Sequence, residues 1–388
     1  MSVGVRWYSV GPGSGFGTAS EAYISGLRRA GVPVTWTPLG WPSEIWRAPY
    51  GPTSRTVTEG EHADIAWSPI VYDSVLVHST PLWNDRLKVE ADRKLLVAFT
   101  AWESDRLSDD LKEVLAHYDL VLVPSEFNVE ILQNSGLEVP VRSVPHIARS
   151  IVASRTSRKT DVFTFYTIAT WTSRKAILDT VSAFCEAFRS DDAVSLVIHT
   201  TPEDLVALDQ ARRAGRPTDA RVAAWFSLAR AVAGMTDRPD IILSTDRLSP
   251  ESIDALHLRG DCFVSLSRGE AWSLAAFDAA AAGNPVVVTG WGGTREFLPE
   301  DYPYFVEYDL VPTTDDPPDA WWTPRPGERW AKARVAHAAT MLRNVFDDQE
   351  RARATGTALR SHVLHNYSSN VVTSTLIDRL RPSPVAER

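Results

Sequence analysis

Residues Ser265–Gly283 read SLSRGEAWSLAAFDAAAAG and indicate the class of fold. The apolar run Cys262–Leu266 predicts a buried strand that ends as this stretch begins. A loop follows, and a helix of small residues is predicted to start around Ser273, with Ala279–Gly283 allowing close packing of the helix on the sheet. A strand, a loop and a helix in this order form the repeating unit of an α/β protein with a parallel sheet.

The loop and the helix carry two acids. Glu270 lies on the loop, and Asp278 lies eight residues later, two turns into the helix. We expect a diphosphate to bind the backbone amides between them, at the positive end of the helix dipole, with the carboxylates accepting from sugar hydroxyls. The alternative is a solvated loop acid and an acid on the face of a helix. The amides in question belong to Ala271, Trp272, Ser273 and Leu274.

Strands alternate with helical segments on both sides of this stretch, which is typical of doubly wound parallel sheets. Near the N-terminus, the glycine-rich turn Gly11–Gly17 precedes a helix that Thr18 or Ser20 caps and Gly31 ends. The strands predicted in the first half are Val3–Val10, Val32–Thr37, Asp64–Ala66, Ser74–His78, Leu95–Thr100 and Leu120–Pro124. Those of the second half are Phe163–Ala169, Ser195–His199, Ile241–Leu243, Cys262–Leu266 and Pro285–Thr289.

Longer segments complete the predicted organisation. The polar stretch Ser154–Asp161 predicts a linker, and the proline-rich stretch Val311–Trp330 predicts a surface excursion without regular structure. Helices are predicted over Lys175–Phe188, Lys332–Leu359 and Asn370–Leu380. We therefore predict an N-terminal domain over 1–153, a second domain over 161–365, and a final helix with a tail over 366–388.

The composition excludes several classes of protein. Of the 388 residues, 44% are hydrophobic and 23% are charged, which excludes disorder and a coiled coil as the main architecture. The net charge of −9 argues against a nucleic-acid partner. No apolar run approaches the roughly 20 residues of a membrane-spanning helix, which leaves only peripheral membrane contact open. Two cysteines and no visible secretory signal predict a cytoplasmic location.

The turn Gly11–Gly17, GPGSGFG, follows a strand and opens a helix, where bare amide groups can bind a phosphate. A dinucleotide-binding fingerprint needs glycines at i, i+2 and i+5, a spacing that the glycines at 11, 13, 15 and 17 do not contain. The second strand also ends without an acid to hold a ribose. These features disfavour a nicotinamide oxidoreductase, and they leave a purely structural tight turn as the alternative.

The segment with Glu270 and Asp278 resembles the E-x7-E signature of the retaining glycosyltransferases of family 4. The resemblance implies an α/β protein of the GT-B fold, with two facing Rossmann-like doubly wound domains and a C-terminal helix that crosses back. It also implies that Glu270 contacts the donor sugar and that Asp278, in place of the usual Glu, holds the nucleotide ribose. Such enzymes need no catalytic metal, and the chain contains no Asp-x-Asp triplet.

Other stretches match the family in the same order along the chain. Residues Ile168–Ala176, IATWTSRKA, resemble the strand end whose basic residues neutralise the donor diphosphate. The resemblance assigns this role to Arg174 and Lys175. Leu248 lies where the family uses backbone groups near the base.

The N-terminal half also contains matches to the family. Glu103 follows a strand of the N-terminal half, and His78 ends the preceding strand. Relatives place active-site residues after such a strand, so both are candidate catalytic residues. A helix-start acid and a structural histidine are the respective alternatives. The N-terminal glycine loop of the family is matched by Gly15, Phe16 and Gly17.

The resemblance thus implies a retaining transferase that moves a sugar from a UDP-, GDP- or ADP-sugar to a hydroxyl-bearing acceptor. A polysaccharide, a glycolipid or a natural product would serve as the acceptor, and no metal or other cofactor is expected. A sugar-nucleotide epimerase of the same fold, a nicotinamide oxidoreductase and a catalytically silent sugar-nucleotide binder are the alternatives.

Overall fold

The structure is a computed structural model that describes residues 4–11, 14–39, 61–81, 94–151, 161–201, 220–316 and 325–381. The chain divides into two compact units. The first comprises Met1–Trp102, Arg106–Ala148 and Asn366–Arg388, and the second comprises Glu103–Asp105 and Arg149–His365. Glu103, predicted in the N-terminal domain, therefore belongs to the second unit.

Strands and helices alternate along most of the described chain. The strands are β1 (Val5–Val10), β2 (Val34–Leu39), β3 (Ser74–His78), β4 (Leu95–Phe99), β5 (Leu120–Val123), β6 (Val141–Ser143), β7 (Phe163–Ile168), β8 (Val194–His199), β9 (Asp240–Ser244), β10 (Cys262–Ser265), β11 (Val286–Thr289), β12 (Phe305–Val306), β13 (Tyr308–Pro312) and β14 (Arg329–Ala333). The α-helices are α1 (Gly15–Arg29), α2 (Asp109–Leu115), α3 (Glu126–Asn134), α4 (Ile177–Ala187), α5 (Ala220–Ala231), α6 (Pro250–Arg259), α7 (Leu274–Ala282), α8 (Val335–Asp347), α9 (Gln349–Asn366) and α10 (Ser369–Leu380).

The first unit is built on a parallel sheet in the order β2-β1-β3-β4-β5-β6. Every residue of β3 and β5 is buried, as expected of central strands that are covered on both faces. Tyr23 of α1 packs with Trp7 of β1 in the core. Helix α10 follows the entire second unit along the chain, yet it completes this core with the side chains of Val372, Leu376 and Leu380.

The second unit contains a parallel sheet in the order β12-β11-β10-β7-β8-β9 and an antiparallel pair, β13–β14. Phe165 of β7 packs on Phe184 of α4 and on Phe188, which ends that helix. Phe346 of α8 reaches the same group of rings. In both parallel sheets the strand order reverses direction once, which confirms the predicted doubly wound α/β class.

The structure corrects three predictions for the first unit. Residues Asp64–Ala66 form no strand, because Ala63–Ile65 closes a 3₁₀ turn and only Ala66 bridges to β2. Helix α1 begins before Thr18, because the side chain of Ser14 accepts a hydrogen bond from the Gly17 amide at 3.0 Å. The three-residue edge strand β6 was not predicted.

The second unit differs from prediction mainly after residue 307. The predicted irregular stretch Val311–Trp330 begins in β13 and ends in β14, which pair with each other, and its residues 317–324 lie outside the described part. The predicted helix Lys332–Leu359 is instead the end of β14 followed by α8 and α9. Asp348, with φ −124° and ψ 69°, leaves the helical conformation and separates the two helices. The predicted linker falls on 154–161, of which only Asp161 is described.

Within the described ranges, no helix is long and apolar enough to span a membrane.

Candidate functional site

The second sheet reverses its strand order at β7. Strands β8 and β9 lie on one side of β7, and β10 and β11, which come later in the chain, lie on its other side. The loops after β7 and β10 therefore start from neighbouring carboxyl ends and diverge, which is where open α/β sheets bind ligands. These loops, residues 169–176 and 266–273, carry the predicted Arg174, Lys175 and Glu270.

Two cations and two acids meet at this edge of the sheet. Lys175 Nζ lies 2.5 Å from Glu270 Oε1, and Arg174 Nη1 lies 3.4 Å from Glu270 Oε2. Arg174 Nη2 lies 3.6 Å from Glu103 Oε1, and its Nη1 donates to the carbonyl oxygen of Gly269 at 2.6 Å. The structure therefore brings together four of the predicted site residues, and we call Glu103, Arg174, Lys175 and Glu270 the charge cluster.

The cluster shifts the pKa values of its members. Burial would raise the pKa of Glu270, but the charges of Lys175 and Arg174 outweigh burial and lower this pKa below its ordinary value. Burial lowers the pKa of Lys175, Glu270 opposes the decrease, and Arg174 adds to it. Glu270 is therefore a carboxylate at neutral pH, and each buried charge depends on its neighbours.

Close backbone approaches hold the Glu270 loop in place. A Cβ at Gly269 would overlap the carbonyl oxygen of Glu103, and a Cβ at Gly292 would lie 2.8 Å from the carbonyl oxygen of Glu270. Gly292 also has a φ of +89°, which side chains rarely adopt. The amide of Gly293 donates to the same carbonyl oxygen at 2.7 Å. Positions 269 and 292 therefore require glycine for the loop to keep this path.

Both loops end in a strained residue. Ala176, with φ +47°, precedes α4, and Ser273, with φ +72°, precedes α7. Neither side chain caps its helix. A non-glycine residue in this conformation costs on the order of 1–3 kcal/mol, and such strain is concentrated at functional sites. The topology places both helix N-termini at the edge with the charge cluster, where their first amides attract anions.

Asp278 belongs to a second group of charges. Arg149 Nε lies 3.2 Å and 3.1 Å from the two carboxylate oxygens of Asp278, and Arg149 Nη2 donates to Oδ2 at 2.7 Å. The same Nη2 donates to Asp254 at 2.9 Å. Burial raises the pKa of Asp278, and Arg149 opposes this increase. The sequence predicted a carboxylate free to accept from a sugar, but both of its oxygens already accept from Arg149.

The other predicted donor contacts of the second unit differ in exposure. Ala271 and Trp272 are buried, and the indole packs at 5.2 Å from Phe277 and 5.5 Å from Phe297, measured between ring centroids. The Trp272 side chain therefore anchors the loop to the core. Leu248 is half-buried between β9 and α6, and Leu274 is the first residue of α7.

The predicted residues of the first unit lie around the point where its own sheet reverses, between β1 and β3. His78 ends β3 and is buried, with Nδ1 2.6 Å from Ser20 Oγ and its ring stacked on Phe99 at 4.5 Å. Burial, with a smaller effect of His146, holds the pKa of His78 well below its ordinary value. A buried, neutral and packed imidazole favours the structural interpretation. The ring of Phe16 lies 5.1 Å from His78.

The predicted glycine loop is only partly a loop. Gly15, Phe16 and Gly17 form the first turn of α1, and Ser14 caps this turn. The N-terminus of α1 therefore lies at the carboxyl end of β1, where a helix can bind an anion. Residues 12 and 13 lie outside the described part of the chain.

Sequence reasoning missed Arg149. It is separated by 105 residues from Asp254 and by 129 from Asp278, so no local pattern connects the three. In the described ranges, no group of three or more His, Cys, Asp or Glu side chains is placed to hold a metal ion.

Comparisons with known proteins give a family match for part of the chain and similar folds. Residues 214–376 match the model of a family described as family 4 glycosyltransferase in conflict systems. No curated protein sequence matches the chain. The family match and the structural similarities described next confirm the predicted resemblance to family 4 and the GT-B fold class.

Several solved structures are similar in fold. Sucrose-phosphate synthase from Thermosynechococcus elongatus superposes with a TM-score of 0.67 at 14% identity, over 97% of this chain and 98% of that chain. HepE from Anabaena, solved with UDP-glucose, gives a TM-score of 0.62 at 13% identity, over 97% and 98%. TarM from S. aureus, solved with UDP, gives 0.55 at 10% identity over 80% of this chain, which spans only 55% of TarM.

Proposed function

We propose that this chain, which has the GT-B fold, is a glycosyltransferase that moves a sugar from a nucleotide-sugar donor to a hydroxyl acceptor, with retention of configuration and without a metal; the family match over residues 214–376 supports the proposal. The observation that carries the proposal is the charge cluster at the reversal point of the second sheet. Two cations, two acids and two helix N-termini at one edge suit a ligand that joins a diphosphate to a sugar.

Arg174 and Lys175 are the proposed diphosphate-binding residues. When the bond between sugar and phosphate breaks, negative charge grows on the leaving nucleoside diphosphate. Cations that are already in place stabilise this charge without reorganisation. Lys175 is held by Glu270, and Arg174 is held by the Gly269 carbonyl oxygen. Their two charges take the part that a divalent metal plays in metal-dependent transferases.

Glu270 and Glu103 are the proposed sugar-facing acids. Glu270 is a carboxylate at neutral pH and accepts hydrogen bonds from donor hydroxyl groups in this proposal. Both acids pair with Arg174, Glu103 with its Nη2 and Glu270 with its Nη1. Negative charge on either side chain also steadies the positive charge that develops on the sugar.

The proposed transfer needs no protein base. The acceptor oxygen bonds to the anomeric carbon on the face from which the diphosphate leaves. The bond from that carbon to the phosphate oxygen breaks, and the acceptor proton passes to the leaving phosphate. A buried and neutral His78 is compatible with this route, because it is not required to remove the proton.

The proposal includes three nucleotides for the donor and three classes of acceptor. HepE was solved with UDP-glucose and TarM with UDP, so UDP-sugars are the first donors to test, followed by GDP- and ADP-sugars. A ribose hydroxyl at Asp278 would share the carboxylate with Arg149. A polysaccharide, a glycolipid or a natural product supplies the hydroxyl acceptor.

The proposal is tested with Lys175→Ala. Loss of one electrostatic contact to a developing charge costs about 3–4 kcal/mol, so turnover should fall by about two to three orders of magnitude. The measurement is release of nucleoside diphosphate from a panel of nucleotide sugars with and without acceptor. Thermal stabilisation by UDP, GDP and ADP reports binding separately, because a ligand that binds the folded state raises its unfolding temperature.

Lys112→Ala is the matched control, because Lys112 also forms an ion pair, 2.7 Å from Asp109, but in the first unit. Its turnover should equal that of the wild type. Turnover of Lys175→Ala within a few-fold of wild type would remove Lys175 from the site. Epimerised sugar, nicotinamide reduction, or stabilisation without turnover would instead identify the epimerase, the oxidoreductase or the silent binder.

A further inference from the structure

The start of β14 and the residue before it, Glu328, bind the last two residues of the tripeptide Glu103–Asp105. The amide of Asp105 donates to the carbonyl oxygen of Arg329 at 2.9 Å, and the amide of Arg329 donates to Asp105 Oδ1 at 2.7 Å. Arg329 Nε donates to Asp105 Oδ2 at 2.8 Å. These three reciprocal bonds fix both the backbone and the carboxylate of Asp105.

A buried hydrogen bond adds to this contact. Ser104 Oγ donates to Glu328 Oε2 at 2.8 Å, and the two residues are 0% and 1% exposed. A buried polar group that loses its partner costs about 1–3 kcal/mol, so this bond strongly favours one position of the tripeptide. The carboxyl group of Glu328 has no part in the proposed donor site.

The same strand also holds the Glu270 loop. The amide of Ala331 donates to the carbonyl oxygen of Arg268 at 2.8 Å. The Arg268 guanidinium pairs with Asp316, which follows β13, and lies 5.8 Å from the centre of the Trp330 ring. The hairpin strand β14 therefore contacts both of the segments that carry the acids of the charge cluster.

Glu103 is thus held between two surfaces of the second unit. The Glu270 loop lies against the backbone of Glu103 at Gly269, where a Cβ would not fit. Glu328, immediately before β14, binds Ser104, and Arg329, the first residue of β14, binds Asp105. With its backbone fixed on both sides, the Glu103 carboxylate is aimed at Arg174 Nη2, 3.6 Å away.

We propose that Asp105 and Glu328 are positioning residues that hold the Glu103 carboxylate against Arg174. The inference rests on the proposed function, because it gives Glu103 a part in turnover. Neither residue has to touch the substrate. A displacement of about 1 Å at a functional group can lower a rate about a hundredfold, so a loosened tripeptide should slow transfer.

The test is a double-mutant cycle between Asp105→Asn and Glu103→Gln. We expect Asp105→Asn to lower kcat about tenfold and to leave the affinity for nucleoside diphosphate unchanged. In the Glu103→Gln background, Asp105→Asn should lower kcat by less than about twofold, because Asp105 affects turnover only by positioning the Glu103 carboxylate. Ser104→Ala, which removes the hydroxyl bound by Glu328, should behave in the same way.

Asp309→Asn is the matched control. It removes a carboxylate from an arginine on the same hairpin, because Asp309 of β13 accepts from Arg334 at 2.8 Å and 3.0 Å. It makes none of the tripeptide contacts described above, so its turnover should be that of the wild type. Hydrogen exchange of the peptide containing Asp105 should be faster in Asp105→Asn and Ser104→Ala than in Asp309→Asn.

Two results would overturn the positioning role. The first is that the losses of kcat from Asp105→Asn and Glu103→Gln multiply in the double variant. The second is that hydrogen exchange at residues 103–105 is the same in Asp105→Asn, Ser104→Ala and Asp309→Asn. A wild-type protein without turnover would contradict the proposed function instead. The exchange measurement would still decide whether β14 holds the tripeptide.

Discussion

At the scale of single residues, Glu270 and Lys175 depend on each other's charge. Glu270→Gln would leave the partly buried ammonium of Lys175 without its nearest counter-charge, 2.5 Å away. Removing one partner of a fully buried pair costs about 3–5 kcal/mol, and the partial exposure of Lys175 makes the cost here smaller. We therefore expect a lower unfolding temperature in addition to weaker donor use.

Thermal unfolding of Glu270→Gln and of the double variant Glu270→Gln/Lys175→Met checks this expectation. The double variant should recover part of the loss, because it removes the uncompensated charge. Glu300→Gln, at an exposed loop acid, is the control and should unfold like the wild type. If Glu270→Gln is as stable as Glu300→Gln, the two charges do not depend on each other.

The pKa shifts of Glu270 and Asp278 have opposite signs, and so do their effects on stability. For Glu270 the folded-state pKa is lowered, so its contribution is present above its ordinary pKa of about 4.3 and is lost as the pH falls. For Asp278 the folded-state pKa is raised above its ordinary value of about 3.9, so its contribution is present below that value and is lost as the pH rises through the raised pKa.

Unfolding temperatures measured between about pH 3.5 and pH 7 separate the two residues. The stability difference between wild type and Glu270→Gln should shrink as the pH falls. By contrast, the stability of the wild type relative to Asp278→Asn should increase as the pH falls. Parallel curves for the two variants would contradict the assigned shifts.

At the scale of elements, the contact between α1 and α10 depends on one glycine. A Cβ at Gly26 would overlap Thr373 Oγ1 on the last helix. Alanine is favoured over glycine inside a helix by about 1 kcal/mol, so any loss of stability in Gly26→Ala measures the clash. We expect a net loss of about 1–3 kcal/mol, as is typical of an overpacked core.

Adding Thr373→Ala to Gly26→Ala should restore most of this stability, because it removes the overlapping hydroxyl. Chemical denaturation of the single and double variants measures the recovery. Gly11→Ala is the control, since a Cβ there meets no atom of the described residues within 4 Å. If the single and double variants lose the same stability, the Thr373 hydroxyl is not the cause of the loss.

At the scale of the whole molecule, the first unit is discontinuous in sequence. Its core includes Val372, Leu376 and Leu380, which follow the entire second unit along the chain. Burial of one such side chain contributes about 1.5–3 kcal/mol, so three contribute an amount comparable with the roughly 5–15 kcal/mol that stabilises a folded domain. A chain that ends at residue 365 should therefore fail to fold its first unit.

Limited proteolysis tests this expectation. The truncated chain should be cleaved throughout its first 148 residues and should leave a protected fragment that starts near Arg149. A chain that ends at Arg381, which keeps α10, should resist the protease like the full-length protein. Protection of both units in the shorter chain would show that α10 is dispensable for the first one.

Much of the fold could be predicted because local patterns determine it. Strand β3 was predicted with its observed bounds, because a central parallel strand is a short apolar run whatever lies around it. The start of α7 was predicted around Ser273, and the helix begins at Leu274. The start of α1 was predicted at Thr18 or Ser20, whereas Ser14 caps the helix about one turn earlier.

For the candidate site, the sequence by itself determined that Arg174, Lys175 and Glu270 follow strand ends. Topology then brings such loops together, because neighbouring parallel strands end at one edge of a sheet. Only the tertiary structure decided that Glu103 belongs to the second unit and that Arg149 occupies the carboxylate of Asp278. Contacts between residues more than a hundred positions apart depend on how the whole chain packs, and no local pattern of residues encodes them.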